Sequence, residues 1–321
     1  DGGIQGEGSQ GVGRIAGHLG LHNFIMFYDS NNIQLSTKVD EVSTEDIVAK
    51  YEAWGWNVIS IDGNDAGEIR MALNRAINET EKPTLIVGHT VMGKGALGKD
   101  GESFENKVST HGQPLTAAGA DIAKTVAHLG GDPENPFVIF DEVKQLYADR
   151  AAELRKWVAL RKDEQKSWTA ANSELAEILD GFLQGKLPEI DYLNIKCGEN
   201  VATRAASAAV LGTLAENVEN MIVASADLSN SDKTDGFLKK THALTKDDFG
   251  GRFLQPGVCE FTMACIMNGI ALHGGIIPAC GTFFVFSDYM KPVLRLSALM
   301  RLPVKFIWTH DSFRVGEDGP T

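Results

Sequence analysis

The sequence is poor in cysteine and in cationic side chains, and it has no long apolar run. Its 321 residues include four cysteines, Cys197, Cys259, Cys265 and Cys280, without the paired spacing of a metal site. No charged-then-apolar leader precedes the first residue, so reduced thiols in the cytoplasm are expected. No apolar run reaches the roughly 18 residues that a bilayer span needs, which removes the membrane as a partner. Lys and Arg number 30 against 43 Asp and Glu, a net charge of −13, and the cations are dispersed along the chain. Such a surface repels a phosphate backbone, so nucleic acid is excluded and any anionic ligand must be held locally.

What is present is a globular composition, 43% hydrophobic and 23% charged, in a chain long enough for two domains. The stretches 24–29 (FIMFYD), 56–61 (WNVISI) and 84–88 (TLIVG) are continuous enough for strands buried on both faces. Helical patterns over 44–54 and 68–78 lie between them and predict βαβ units with a parallel sheet. From 141 to 184 the pattern is long, charged and nearly free of Gly and Pro, as in a solvated helical connector. The polar stretch 185–200 breaks that period. The expected domains are therefore 1–186 and 187–321. In the second, helices over 202–214, 261–272 and 289–300 alternate with strands over 221–225, 276–280 and 304–309. The fold class is α/β, two tandem open parallel-sheet domains. Because the chain starts Asp-Gly-Gly without Met and stops at Gly-Pro-Thr, both domains are expected to be truncated pieces of a longer polypeptide.

Two motifs compete at the start. Gly6-Glu7-Gly8-Ser9-Gln10-Gly11 matches GxGxxG, the loop that cradles a dinucleotide, and Asp29 follows at the end of a strand. That loop requires an upstream strand, which this sequence lacks. The second reading joins Asp1-Gly2 to Asn31, thirty positions on, after the FIMFYDS strand. A diphosphate binds an acidic protein through a bridging divalent cation, and Mg²⁺ or Ca²⁺ takes hard oxygens: an Asp carboxylate, an Asn amide oxygen and a backbone carbonyl, here that of Ile33. A Gly2-Gly3 turn would let backbone approach the phosphates closely, beside a helix N-terminus that favours an anion.

The surrounding text decides between them. Ala16-Gly17-His18-Leu19, Asn23 and Tyr28-Asp29-Ser30-Asn31-Asn32-Ile33 are followed by Glu260 with Met267-Asn268-Gly269-Ile270-Ala271. Then come Gly281-Thr282-Phe283, the 294–299 stretch LRLSAL, His310-Asp311-Ser312 and the closing Val315-Gly316-Glu317-Asp318-Gly319-Pro320-Thr321. In this order, over essentially the whole chain, they resemble the transketolases, thiamine-diphosphate enzymes that move two-carbon ketol units between sugar phosphates.

The resemblance implies roles. Glu260 would hydrogen-bond N1′ of the aminopyrimidine and act in proton transfer, work typically worth about 10² to 10⁴ in rate. Its neighbours Val258, Cys259, Phe261 and Met263 are expected to bury it, so it needs a partner. Phe283, Phe286 and Tyr289 resemble the aromatic wall around the pyrimidine; from spacing alone such aromatics are more often plain core, and only the resemblance promotes them. Arg204 and Ser231 resemble residues that grip the substrate phosphate, which suits the planar fork of Arg. Asp227 falls where the family has a carboxylate near the thiazolium, and Asp318 resembles a reader of a substrate hydroxyl. His111 and His310 align with active-site imidazoles that stabilise developing oxyanions.

The implied assembly is a homodimer with active sites at the subunit interface, acting on sugar phosphates with thiamine diphosphate and Mg²⁺ or Ca²⁺. Departures remain: Gly6 stands where the family usually has Glu, and Cys259 and Phe261 flank Glu260 in place of Arg and His. Neighbouring readings are 1-deoxyxylulose-5-phosphate synthase and dihydroxyacetone synthase, and further off an NAD-binding oxidoreductase or a non-catalytic assembly subunit.

Overall fold

A computed structural model of the chain describes residues 1–311. It separates into two compact units: Asp1–Gly6 with Gly20–Asn172, and Glu7–Leu19 with the chain from Ser173 onward. The chain thus enters the second unit ahead of the 185–200 stretch at which the sequence pattern breaks. One helix, α1 (Glu7–His18), belongs to the second unit although it precedes the first sheet in sequence.

The first unit is organised by β1 (Ile25–Ser30), α2 (Ile47–Ala53), β2 (Asn57–Asp62), α3 (Ala66–Ile77) and β3 (Thr84–His89). The strands are parallel in the order β1-β3-β2, with Ile25 and Asn57 both opposite Thr84. The central strand β3 pairs on both edges, and residues 84 to 88 are all buried, which is why it reads as an unbroken apolar run and not an alternating one. Ile86 packs with Ile59 and with Ala72 and Ala76 of α3. Both helices start where an Asp side chain satisfies free N–H groups: Asp46 accepts from Ala49 at 3.0 Å, and Asp65 from Gly67 and Glu68 at 2.7 and 2.9 Å. Parallel pairing sends Ser30, Asp62 and His89 to one edge.

The connector is α4 (Asp141–Ala171), 31 residues with no buried side chain, followed by α5 (Ser173–Leu183). Four ion pairs at i,i+3 run along α4, among them Arg161 with Glu164 at 2.6 Å. Exposed pairs of this kind add little each.

The second unit holds α6 (Thr203–Asn217), β4 (Met221–Ser225), β5 (Phe253–Leu254), α7 (Glu260–His273), β6 (Ile277–Phe283), α8 (Ser287–Leu299) and β7 (Lys305–Thr309). Its sheet is parallel, in the order β5-β4-β6-β7. The two-residue β5 has no counterpart in the sequence reading, because two residues are too short to show a period. Leu211, Val223, Phe237, Phe253 and Ala279 form its core.

The Gly6–Gly11 run is helix and joint, not a nucleotide loop. A Cβ on Gly8 would lie 2.8 Å from Phe261 Cε1, and one on Gly11 would lie 2.0 Å from Thr262 Oγ1. These glycines let α1 lie hard against α7, so the motif reflects packing.

Candidate active site

In the first unit the expected metal ligands converge at the end of β1. The Tyr28 hydroxyl donates to Asp1 Oδ1, and the Asn31 backbone N–H donates to Asp1 Oδ2 at 3.0 Å. Each carboxylate oxygen keeps a lone pair. The Asn31 side-chain oxygen accepts from the N–H of Ile33 at 2.9 Å, while its amide nitrogen donates to Asp29 at 3.0 Å. Thr90 also donates to Asp29, which ties this turn to the end of β3. Asn32 turns the chain with a left-handed φ of 63°, a conformation Asn tolerates better than most residues. Ile33 is buried.

The turn lines a cleft of about 460 Å³ with Lys38, His89, Thr90 and Asn106. Among the described residues no three His, Cys, Asp or Glu side chains gather to hold a metal. Asp1, Asn31 and Ile33 offer a carboxylate, an amide oxygen and a backbone carbonyl, the hard oxygens a divalent cation takes, with room for phosphate and water to supply the rest. Tyr28 was not anticipated as part of this site. Burial pushes its phenol up from the ordinary value, so it acts as a hydrogen-bond donor.

Gly2 lies with Gly3 in a short helical turn, Gly2–Gln5, and nothing within 4 Å would meet a Cβ at either position. Asp1 is the N-cap of that turn. His111 follows a 3-10 turn, with its Nδ1 buried and without a partner among the described residues, and the next residue, Gly112, abuts Leu35.

In the second unit every strand delivers a candidate residue beyond its carboxyl end, the edge at which open parallel sheets bind ligands. After β7, His310 adopts φ 57°. Its ring stacks on Phe283 at the end of β6, centroids 3.7 Å apart, and the stack continues through Phe286 at 5.6 Å to Tyr289 at 6.0 Å. From the first turn of α6, Arg204 Nη1 donates to His310 Nε2 at 2.6 Å and to the Ser231 carbonyl at 3.2 Å. A guanidinium only donates, so Nε2 must accept, and the ring proton resides on Nδ1 toward Thr309 Oγ1 at 2.9 Å. Ser231 Oγ is 3.5 Å from the same Nε2. The Nε and Nη2 groups of Arg204 have no partner among the described residues. The structure thus unites Arg204, Ser231, His310 and the three aromatics.

Glu260 opens α7 and is 8% exposed, without a hydrogen bond to its carboxylate from the described residues. Val258, expected to help bury it, is 76% exposed; the helix that Glu260 opens packs against β6, α8 and α1. The turn before it is latched by Arg14 of α1, whose Nη2 donates to the Pro256 carbonyl at 2.8 Å and lies 3.5 Å from Cys259 Sγ. Burial raises the Cys259 thiol, and the Arg14 guanidinium offsets part of that. Arg14 carries no signature in the sequence, where it reads as one solvated charge on a helix.

Asp227, after β4, is exposed with φ 64° and makes no side-chain contact with this cluster among the described residues. Asp318 lies outside the described residues. The carboxylate that the polar run 229–235 concealed is Asp232, 1% exposed. It accepts from Ser225 Oγ at 2.7 Å and from Thr234 N and Oγ1 at 2.8 and 2.7 Å. Burial raises its pKa, and those three donors partly offset the rise. Cys280 on β6 is pushed up to about 12 by burial, with Asp232 adding to it.

Sequence comparison accords with this arrangement. Residues 1–188 match the model of the transketolase thiamine diphosphate binding domain, and residues 199–321 that of the transketolase pyrimidine binding domain. The chain is 40% identical over 315 residues to transketolase 2 of Xanthobacter flavus, and 37% identical over 318 to the transketolase of Bacillus subtilis. These alignments cover 96% of this chain but 44% and 45% of the relatives, so it spans less than half their length. Among solved structures, transketolase from Leishmania mexicana superposes with a TM-score of 0.90 at 31% identity, over 100% of this chain and 47% of that one. Transketolase from Pichia stipitis in complex with sedoheptulose 7-phosphate gives 0.90 at 33%, over 100% and 48%. With both domain models matched in order and the fold shared along its whole length, the chain belongs to the transketolase family.

Proposed function

We propose that the protein of which this chain is part transfers a two-carbon ketol unit from a ketose phosphate to an aldose phosphate. The observation that carries this reading is the Arg204–Ser231–His310 cluster at the head of the Phe283–Phe286–Tyr289 stack. It sets a cationic fork and an imidazole beside a flat apolar wall, which suits a phosphorylated polyol next to an aromatic heterocycle.

Thiamine diphosphate, when bound, supplies the electron sink for cleaving the carbon–carbon bond beside a ketose carbonyl. Asp1, Asn31 and Ile33 would hold Mg²⁺ or Ca²⁺ with the diphosphate, and Lys38 lines the same cleft. Glu260 holds and passes a proton at N1′ of the aminopyrimidine, and its burial among apolar groups strengthens that hydrogen bond. Phe283, Phe286 and Tyr289 stack on the pyrimidine. Arg204 and Ser231 would bind the sugar phosphate, His111 and His310 would stabilise oxygens that gain charge, Asp227 would act beside the thiazolium, and Asp318 would read a substrate hydroxyl. The protein works as a cytoplasmic homodimer in the pentose phosphate pathway, with its active sites at the subunit interface. Support comes from the family.

The test is a ketose phosphate and aldose phosphate exchange assay on the full-length protein, with thiamine diphosphate and Mg²⁺ each omitted in turn. Turnover that needs both supports the reading, and metal-independent turnover removes Asp1, Asn31 and Ile33 from it.

A further inference from the structure

Asp232 touches none of the groups assigned above to sugar or cofactor, yet the loop that carries two of them is built around it. Residues 226–234 leave β4, pass Asp227 and Ser231, and contain two non-glycine residues in the left-handed region, Asp227 at φ 64° and Lys233 at φ 68°. Such conformations persist only where neighbouring contacts over-determine them. Here the contacts converge on one buried carboxylate. Ser225 Oγ binds one oxygen from the strand end, and Thr234 binds the other through N–H and hydroxyl. Ser225 Oγ in turn accepts from Leu228 N at 3.3 Å, so both ends of the loop are pinned through the same group. β6 closes over it: a Cβ on Gly281 would lie 3.2 Å from Asp232 Oδ2 and 2.5 Å from Thr234 Cγ2.

The next residue back is Ser231, whose carbonyl receives Arg204 and whose hydroxyl faces His310. Arg204 spends one nitrogen on that carbonyl and the imidazole, and those bonds orient the rest of its fork.

We propose that Asp232 is a positioning residue for phosphorylated substrates, one that acts through Ser231 on the aim of Arg204. The inference rests on the phosphate-binding reading of Arg204. It deepens that reading by naming the group that sets the angle of the guanidinium. A carboxylate is not required for charge, because all three donors are neutral. Asn at 232 keeps an oxygen for Thr234 and reverses the Ser225 bond, its Nδ2 donating to Oγ. Ala leaves three buried donors without an acceptor, and the strained loop relaxes.

The experiment uses the full-length protein and the variants Asp232→Asn, Asp232→Ala, Thr234→Val and Arg204→Ala. It measures kcat/KM on a phosphorylated and an unphosphorylated ketose donor, the inhibition constant of inorganic phosphate, and thermal melting. Asp232→Ala and Thr234→Val are expected to lower the preference for the phosphorylated donor about tenfold and to weaken phosphate inhibition in parallel. Asp232→Asn is expected to keep that preference within about twofold. Equal losses on both donors in a folded Thr234→Val protein, or unchanged preference in Asp232→Ala, overturn the positioning role. Should Asp232→Ala fail to fold, Thr234→Val decides alone. If Arg204→Ala also leaves the preference unchanged, the phosphate reading of Arg204 is what fails.

Discussion

Two aspartates stand at the carboxyl edges of the two sheets, and each takes a hydroxyl and a backbone N–H. Asp1 receives Tyr28 and Asn31 at the end of β1; Asp232 receives Ser225 and Thr234 beyond β4. They differ in what surrounds the remaining lone pairs. Asp1 is half-buried at an edge beside an open cleft, while Asp232 is 1% exposed beneath β6. On the reading proposed here, a similar set of donors leaves a ligand at one edge and, with the Thr234 hydroxyl added, a structural post at the other. Access, more than chemistry, separates the two roles.

If the edges divide the work in this way, the largest loss should come from the second sheet without a loss of cofactor. Glu260→Gln keeps the size of the side chain but cannot ionise. Turnover should fall by about 10² or more while thiamine diphosphate affinity falls far less. Exchange of the thiazolium C2 proton into deuterated water isolates the step, and a wild-type exchange rate would remove Glu260 from proton transfer.

At the first edge the order of effects should invert. Asp1→Ala should weaken Mg²⁺-dependent cofactor binding by about tenfold or more, partly restored by raising Mg²⁺. Calorimetry at several Mg²⁺ concentrations checks this, and affinity equal to wild type at low Mg²⁺ would break the comparison. Tyr28→Phe removes only the donor to Asp1 Oδ1, so the same titration should show a smaller shift, about fivefold, with turnover at saturating Mg²⁺ retained.

The smallest effect concerns pH. Burial raises the Asp232 carboxyl, so the native fold holds that proton more tightly than the unfolded chain does. Its stabilising contribution is complete below the ordinary carboxylate range near pH ~4 and is lost as pH rises through the native value. The Tm of the wild type minus that of Asp232→Asn should therefore decline as pH rises from about 4 toward neutrality. A difference that is flat, or that grows with pH, would contradict the sign.

How legible this was in the sequence follows the range of the interactions. β3 was readable because a central parallel strand announces itself as an apolar run. Asp1 and Asn31, although thirty positions apart in sequence, could be brought together through the strand that joins them, and the structure places the Asn31 N–H 3.0 Å from Asp1 Oδ2. Arg14 was not, because its partner Pro256 lies 242 positions away and a single Arg on a helix has no signature. Asp232 was hidden differently: its polar neighbours suggested a solvated turn, and only the closure of β6 over Gly281 shows that it is buried.

The bare faces of Gly8 and Gly11 leave no slack between α1 and α7. They act as a shim of zero thickness beneath the helix that begins with Glu260. A methyl group added at 11 has no void to enter, since Thr262 is fixed two residues into that helix, so the added width must appear as a shift of α7. Close-packed interiors pass such strain on instead of absorbing it. A substitution on the opposite helix would thus reach the Glu260 carboxylate as a change of position, and α1 works as the gauge block against which that carboxylate is set.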